Sequence, residues 1–354
     1  MQSPVAEERA AIVERLFPAG IPQLWCPLLT HYRERRGSVV VDYERIRAHL
    51  NHLAPFVKTF LVPGSTGDGW EMSAGQQHEL ITRLRELAAA YGVWVMVGVL
   101  RTGRGEARAT IDETANTLVG GPLPAGYEER AALLAQHRVC GFTVTPPRGA
   151  DLTQEEIRSE LAEVAELGFP VAFYQLPQVT ENEITPDTVA DLVDSYPNFY
   201  LFKDTSGNDR VAKAALDYQN LFLVRGAEED YSAWHRSSGG PYDGFLLSTV
   251  NCFARPYSQM LVALKAGDQD NAEDISNRVS TVARELFVAA GELPYGNPFS
   301  NANRAIDHVF AHGADVADRD PPLTCSGNRL PRQLIELAQQ SLAQSEFPVG
   351  HGYL

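Results

Sequence analysis

The sequence predicts an α/β fold, namely a (β/α)8 TIM barrel with a C-terminal helical appendage. Eight short apolar runs, rich in β-branched and aromatic residues, recur between residues 21 and 250, as is typical of parallel strands covered on both faces. Helix-period segments lie between them, and those that end at Gly92 and Gly168 stop in the usual way. Alternating strands and helices of this number indicate a barrel.

The order of these elements also predicts the division of the chain. The predicted strands are 21–29, 59–64, 93–100, 141–147, 170–177, 199–206, 221–227 and 243–250. We expect an N-terminal helical extension over residues 1–20, the barrel over 21–267, and a C-terminal helical region with an irregular tail over 268–354. A doubly wound sheet is the alternative fold, but the GxGxxG turn expected after its first strand is missing.

Two stretches depart from the regular alternation. Residues 120–126, GGPLPAG, interrupt the third barrel helix and predict a loop insertion at the surface. The segment HYRERRGSVV that follows the first strand is longer than a typical loop. Helical segments are predicted at 256–266, 268–291, 298–312 and 330–345.

Composition excludes several classes of function. No run of eighteen apolar residues exists, so we expect no membrane span, and the first residues lack the features of a signal peptide. The net charge of -15 argues against a nucleic-acid partner. Four scattered cysteines without a CxxC pair argue against a disulfide framework and a structural zinc site, and favour a cytoplasmic location.

Metal binding is also not predicted. His308 and His312 stand four residues apart on a predicted helix, but no third ligand accompanies them in the sequence. None of the predicted strand ends carries a histidine, which argues against a metal-dependent barrel aldolase.

Lys203 is the most informative single residue. The chain has four lysines, and Lys203 alone follows an apolar strand-like run, NFYLF. A lysine buried on a barrel strand is costly unless it is paired or used. Its neutral amine can attack a ketone and form a Schiff base. The structural alternative is a lysine that forms a salt bridge with Asp204 or with another strand end.

Two further groups lie at predicted strand ends, where barrel enzymes carry their active sites. Tyr174 ends the strand before that of Lys203, and its phenol is able to shuttle protons; filling the top of the barrel is an equal alternative. The turn 64–69, GSTGDG, offers backbone N–H groups and two hydroxyls to a carboxylate, although it is equally a plain glycine turn. Together the three elements are what cleavage next to a 2-keto acid requires.

These motifs resemble the dihydrodipicolinate synthase/N-acetylneuraminate lyase family of class I aldolases. The resemblance spans roughly residues 20 to 345. Its markers are Gly64 to Gly67, Thr143 to Pro146, Tyr174 to Pro177, Lys203 to Gly207, and Gly244 to Ser248 followed by Asn251.

The resemblance implies the roles of individual residues. Lys203 is expected to be the Schiff-base lysine and Tyr174 the catalytic tyrosine, while Ser65 and Thr66 bind the carboxylate of the keto acid. Gly64 and Ser248 are expected to line the same substrate site. The resemblance further implies no cofactor beyond the covalent Schiff base, and a homo-oligomer, either a dimer or a tetramer of two tight dimers.

Several positions depart from the family pattern. Asp68 stands where most members have glutamate, and Pro147 and Arg148 replace the paired tyrosines of many synthases. The arginine that synthases place after the Tyr-x-x-Pro segment is absent, and Gln178 stands there. We therefore expect an intact keto-acid half and a different second-substrate half, with Arg148 as a candidate replacement cation.

The sequence thus predicts a lyase or aldolase acting on pyruvate or another 2-keto acid, by carbon–carbon cleavage or condensation. A dehydratase of 2-keto-3-deoxy sugar acids and a hydratase-aldolase with an aromatic aldehyde remain open, because all share iminium chemistry. A non-catalytic keto-acid-binding homologue is the alternative from another class.

Overall fold

The computed structural model describes residues 3–354. Its strands are β1 (Leu24–Pro27), β2 (Tyr32–Arg35), β3 (Ser38–Val41), β4 (Thr59–Val62), β5 (Trp94–Val99), β6 (Val139–Val144), β7 (Val171–Gln175), β8 (Phe199–Asp204), β9 (Phe222–Arg225) and β10 (Gly244–Leu246). Eight of them form a closed barrel in the order β1-β10-β9-β8-β7-β6-β5-β4. The predicted (β/α)8 fold is confirmed, and all eight predicted strands are present.

Helices follow the strands, as the pattern predicts. They are α1 (Pro4–Leu16), α2 (Tyr43–Leu53), α3 (Ala74–Tyr91), α4 (Glu106–Val119), α5 (Tyr127–Gln136), α6 (Gln154–Ala165), α7 (Pro177–Thr180), α8 (Pro186–Ser195), α9 (Arg210–Lys213), α10 (Tyr231–Trp234), α11 (Val250–Ala266), α12 (Gln269–Gly291), α13 (Pro298–His312) and α14 (Arg332–Gln344). No helix in residues 3–354 is long and apolar enough to cross a membrane.

The described chain divides by its internal packing into two compact units. The first contains residues 3–23, 80–227 and 241–246, and the second contains residues 24–79, 228–240 and 247–354. In the first unit the barrel strands β6, β7 and β8 are buried along their whole length. This burial explains why their sequences are continuous apolar runs and do not alternate.

Helix α1 is anchored in the first unit by one buried arginine. Ser3 caps the helix by accepting a hydrogen bond from the N–H of Ala6, and Pro4 occupies its first turn. The fully buried guanidinium of Arg9 donates to the backbone carbonyls of four residues, namely Val193, Tyr196, Phe199 and Gln219. These bonds explain how a charged residue is accommodated on the buried face of an amphipathic helix.

The predicted insertion near residue 120 is confirmed as a break between two helices. Helix α4 ends at Gly120, whose φ of 65° lies in the left-handed region that favours glycine. Helix α5 begins at Tyr127, so the loop covers residues 120–126 as predicted.

The segment after β1 is a β-hairpin, and the sequence pattern did not reveal it. Strands β2 and β3 pair antiparallel with Arg35 opposite Ser38. Arg36 and Gly37 form the two-residue turn, and both have positive φ. Three of the four side chains of β2 are charged and exposed, so the strand lacks the apolar alternation by which a hairpin is normally recognised.

The C-terminal helices lie in the second unit and begin within a few residues of their predicted positions, with one exception. Helix α11 starts at Val250, six residues before the predicted start at residue 256, because Pro256 is accommodated just after a kink at Phe253. The predicted irregular tail is docked on α13, since the hydroxyl of Tyr353 donates a hydrogen bond to Asp307 and the N–H groups of Tyr353 and Leu354 donate to the carbonyls of Phe310 and Ala311.

Candidate active site

Lys203 lies on β8 in the interior of the first unit. Its side chain is buried, with 5% of the residue exposed, and its backbone stands in register with Tyr174 on β7 and Val224 on β9. The Nζ atom lies 3.9 Å from the centroid of the Tyr174 ring. The two residues that the sequence marks as catalytic are thus brought into direct contact by the pairing of β7 and β8.

The structural alternative for Lys203, a salt bridge to Asp204, is not what the structure shows. The Oδ1 atom of Asp204 accepts hydrogen bonds from the N–H of Ser206 at 2.9 Å and from its hydroxyl at 2.6 Å. Burial raises the pKa of Asp204, while its bonds to Ser206 lower it. Within residues 3–354, Lys203 forms no salt bridge and no hydrogen bond, so its amine is not committed to a structural partner.

A buried polar network supports the loop that follows Lys203. The hydroxyl of Tyr242 lies 2.7 Å from Oδ1 of Asp209 and 3.4 Å from Oδ2 of Asp204. Arg225 donates to Asp209 at 3.1 Å and to the carbonyl of Ala227 at 2.8 Å. Burial and the nearby carboxylates raise the pKa of Tyr242, so this phenol stays protonated and donates. The network holds the ends of β8 and β9 together beside the lysine.

The sequence did not predict this network. Asp209, Arg225 and Tyr242 are distant in sequence, and each resembles an ordinary loop or strand-end residue on its own. The one available signal is Arg225 at the end of an apolar strand, because a buried arginine needs a partner just as a buried lysine does.

Gly226, directly after β9, provides the space that the Lys203 side chain occupies. A methyl group at this position would lie 2.9 Å from Cε of Lys203 and 2.3 Å from Oγ1 of Thr205. Both distances are shorter than any ordinary contact, so only glycine fits without movement. Gly226 was not among the predicted site residues.

Tyr174 is positioned by its strand. Only 2% of the residue is exposed, and its hydroxyl makes no hydrogen bond to any group within residues 3–354. The hydroxyls of Thr143 on β6 and of Thr205 after β8 are likewise buried without a partner among the described residues. Three unengaged hydroxyls on β6, β7 and the β8 loop therefore occur in the same unit as the lysine amine.

The predicted carboxylate-binding turn lies in the second unit, after β4. The N–H groups of Gly67, Asp68 and Gly69 are used inside the turn, where they donate to the carbonyls of Gly64 and Ser65. These three amides are therefore engaged within the turn itself, and carboxylate binding by this turn stays a prediction. The hydroxyl of Ser65 accepts a hydrogen bond from Trp70 at 2.9 Å.

The glycines of this turn have a steric role. A methyl group on Gly67 would lie 2.5 Å from the carbonyl oxygen of Leu28, so the turn must approach the β1 backbone closely. Asp68 has a positive φ of 59°, and its carboxylate forms a buried ion pair with Arg304 of α13. Thr66, two residues before Asp68 in the turn, is also buried, with 6% of its surface exposed.

Ser248 and Arg148 have protein partners. The hydroxyl of Ser248 donates to Glu228 at 2.6 Å and accepts from Asn303 at 3.0 Å. The side chain of Arg148 is 60% exposed and forms an ion pair with Glu181, whose pKa this contact lowers. Arg148 is therefore a solvated arginine with a partner in this structure, and a role in binding substrate stays a prediction.

The fold gathers one cluster of potential metal ligands that the sequence did not indicate. The donor atoms of His31, His49 and Asp307 lie within 4.8 Å of one another, and all three residues are buried. The two imidazoles are hydrogen-bonded to each other at 3.0 Å, and Asp307 already pairs with Arg45 and Tyr353. Because the carboxylate is neutralised by a guanidinium, the cluster does not fit a cation.

A closed (β/α)8 barrel with a buried, unpaired lysine beside a tyrosine defines a class, the Schiff-base lyases and aldolases. Comparison with known proteins agrees with this class. The model of the dihydrodipicolinate synthetase family matches residues 131–296, a range that includes Tyr174 and Lys203.

Two relatives of similar sequence are both named 4-hydroxy-tetrahydrodipicolinate synthase. The 4-hydroxy-tetrahydrodipicolinate synthase of Methanospirillum hungatei is 24% identical over 288 residues, 79% of this chain and 86% of that protein. The enzyme of the same name from Xanthomonas axonopodis pv. citri is 28% identical over 240 residues, 67% of this chain and 72% of that protein.

Solved structures agree on the fold. Dihydrodipicolinate synthase of Thermotoga maritima superposes with a TM-score of 0.69 at 15% identity, covering 91% of this chain and 97% of that one. A prophage protein of E. coli K12 in complex with pyruvate has a TM-score of 0.68 at 17% identity, with coverage of 91% and 98%. The chain is thus similar to the dihydrodipicolinate synthetase family in sequence over residues 131–296, and to solved dihydrodipicolinate synthases in fold.

Proposed function

We propose that the chain acts on pyruvate or another 2-keto acid, with Lys203 as the residue that forms the Schiff base. The observation that carries the proposal is the buried amine of Lys203, which has no salt bridge within residues 3–354 and lies 3.9 Å from the Tyr174 ring. A lysine amine that is not tied up in an ion pair is available as the nucleophile that attacks a ketone carbon.

The proposed reaction begins with attack of the Lys203 amine on the ketone carbon. The carbonyl oxygen takes up a proton, which gives a carbinolamine, and the nitrogen loses one. A second proton on that oxygen lets it leave as water, and a C=N iminium forms. In cleavage, the C4 hydroxyl loses its proton and the bond between C3 and C4 breaks, so that C4 leaves as an aldehyde and the electron pair of the bond moves into the iminium to give an enamine. Condensation is the same sequence in reverse.

Tyr174 is proposed to transfer the protons of these steps. Its hydroxyl makes no hydrogen bond within residues 3–354, and its ring is held against the lysine by the register of β7 and β8. A phenol in this position is able to give a proton to the carbinolamine oxygen and to take one back. Neither role needs a metal or a bound cofactor, since the covalent iminium itself is the electron sink.

The carboxylate of the keto acid needs a binding group of its own. Ser65 and Thr66 are proposed to bind the carboxylate of the keto acid through their hydroxyls, since the amides of Gly67, Asp68 and Gly69 donate inside the turn. Gly64 is proposed to contribute to the same turn, where an added methyl group would lie only 3.0 Å from Cβ of Pro27. A homo-oligomeric assembly and a cytoplasmic location are expected from the family resemblance and the cysteine pattern.

The test is reductive trapping. Incubation with pyruvate and borohydride should add one reduced adduct per chain, and peptide mapping should place it on Lys203. Lys203→Ala should remove the adduct and keep the folded state, as judged by circular dichroism. Lys213→Ala is the matched control, because Lys213 is half-exposed and paired with Asp209. An adduct on another lysine, or an adduct that persists in Lys203→Ala, would contradict the proposal.

A further inference from the structure

A group of buried polar side chains lies on the face of β8 and β9 that the Lys203 side chain does not use. Successive side chains of a strand point to opposite faces. Lys203 stands in register with Val224, and the next residues, Asp204 and Arg225, stand in register with each other. Asp204 and Arg225 therefore share the other face, and they act on a reaction at the lysine amine only through the backbone.

Asp209 is the centre of this group, and none of its surface is exposed. Its Oδ1 atom accepts hydrogen bonds from Nε of Arg225 at 3.1 Å and from the hydroxyl of Tyr242 at 2.7 Å. The same hydroxyl lies 3.4 Å from Oδ2 of Asp204, and Nζ of the half-exposed Lys213 lies 3.8 Å from Oδ2 of Asp209. A buried carboxylate is held firmly by such partners, since losing one leaves a charge poorly paired.

The loop from Lys203 to Asp209 is ordered by a second set of bonds. The Oδ1 atom of Asp204 accepts from the N–H and the hydroxyl of Ser206. The Oγ atom of Ser206 accepts in turn from the N–H groups of Asn208 and Asp209, at 3.1 and 3.3 Å. The Asp209 carboxylate is thus fixed relative to the strand end that carries the lysine.

Arg225 links this group to the space around Lys203. Its Nη1 atom donates to the carbonyl of Ala227 at 2.8 Å, and the N–H of Gly226 donates to the carbonyl of Asp204 at 2.6 Å. The backbone of Gly226 is therefore held on both sides. Because a methyl group on Gly226 would lie 2.9 Å from Cε of Lys203, the lysine side chain packs directly against this backbone.

We propose that Asp209 is a positioning residue for the Schiff-base reaction, which holds Arg225 so that the Gly226 backbone keeps the Lys203 amine in place for attack. Tyr242 supports Asp209 by fixing its carboxylate. The inference rests on the proposed role of Lys203. A shift of about 1 Å in a reacting group costs on the order of 10²-fold in rate, so a shift of about half that size costs about tenfold.

The test is the rate of adduct formation, measured by quenching with borohydride at successive times after mixing with pyruvate. Asp209→Asn removes the charge and Tyr242→Phe removes only the hydroxyl. Each should lower the rate constant at saturating pyruvate by about tenfold, with the half-saturating pyruvate concentration and the final adduct per chain unchanged. A group that only stabilised the fold would instead lower the final adduct per chain and leave the rate constant of the folded fraction unchanged.

Two control variants should form the adduct at the wild-type rate. Tyr218→Phe is matched to Tyr242→Phe, because it also removes one buried hydroxyl from the first unit, which donates to the carbonyl of Val211 at 3.0 Å. Lys213→Ala removes the partner of Asp209 that does not contact Arg225 in the printed bonds of this group. A slower rate in either control would show that the assay reports general loosening of the unit, which would overturn the proposal.

A double variant tests whether Asp209 acts through Arg225. Residues of one network have non-additive effects, so Asp209→Asn combined with Arg225→Lys should be no slower than Arg225→Lys alone, whereas multiplied losses would overturn the proposal. If Asp209→Asn does not fold, Tyr242→Phe keeps the ion pair and decides the matter. A wild type without the adduct overturns the proposed function and this inference with it. An adduct that forms at the wild-type rate in both Asp209→Asn and Tyr242→Phe overturns this inference alone.

Discussion

The fit between Gly226 and Lys203 leads to a quantitative prediction for Gly226→Ala. The added methyl would lie 2.9 Å from Cε of Lys203, and ordinary contact begins at about 3.4 Å, so the lysine must retreat by at least 0.5 Å. Oγ1 of Thr205, at 2.3 Å, must move further. Overpacking of this kind costs about 1–3 kcal/mol in stability.

The same displacement sets the expected effect on chemistry. A shift of about 1 Å in a reacting group costs on the order of 10²-fold in rate. We therefore expect Gly226→Ala to slow formation of the borohydride-trapped pyruvate adduct by about 10- to 100-fold. The measurement is the time course of adduct mass, with the thermal midpoint as a check that the variant is folded.

Two companion variants make the test specific. Gly75→Ala is the matched control, because a methyl there meets nothing within 4 Å, and adduct formation should not change. Thr205→Ala in the Gly226→Ala background removes the closer clash without breaking a hydrogen bond among the described residues, and should restore part of the rate. Wild-type trapping kinetics in Gly226→Ala would refute the assignment of this glycine to the placement of Lys203.

Three further predictions follow from the site and from the buried clusters. Tyr174→Phe should lower turnover by about 10² to 10⁴-fold and leave keto-acid binding in place, whereas unimpaired turnover would show that the phenol only packs. The chain should be a poor dihydrodipicolinate synthase in a coupled assay with pyruvate and aspartate semialdehyde. Turnover near 10 s⁻¹, about the enzyme median, would contradict this prediction. Loss of that turnover in Arg148→Ala would then show that Arg148 binds the carboxylate of the semialdehyde. Burial lowers the pKa of His31 and His49 below the usual 6.5. The folded state therefore favours their neutral forms, and the stability that this preference contributes is complete above pH 6.5 and is lost on acidification. The thermal midpoint should fall as the pH drops below about 6.5, and it should fall less steeply in His49→Gln.

Much of the fold was predictable because its signals are local. Parallel barrel strands are buried on both faces, so each is visible as a continuous apolar run, and glycines such as Gly120 mark helix ends by their backbone conformation. The hairpin after β1 escaped prediction because its strands are short and β2 is charged. Some predicted helix boundaries also differ from those observed. Helix α11 begins at Val250 and not at residue 256, because the helix contains Pro256, a residue that normally marks a helix start or break.

The sequence by itself determined the class of protein and the most informative residue. Lys203 was predicted to be functional because it ends an apolar run and a buried amine must be paired or used. Tyr174 was predicted because it ends the preceding strand. The tertiary structure alone showed that Lys203 is not paired with Asp204, because Asp204 is bound to Ser206 and Lys203 contacts the Tyr174 ring.

Tertiary structure alone also revealed the supporting residues. Gly226 and Lys203 are far apart in the sequence, as are Tyr242 and Asp209, and nothing in their local sequence marks them as neighbours. The physical reason is that helix and strand periods report on backbone burial along one segment. Contacts between side chains of different segments depend on strand register and helix packing, which exist only in the folded chain.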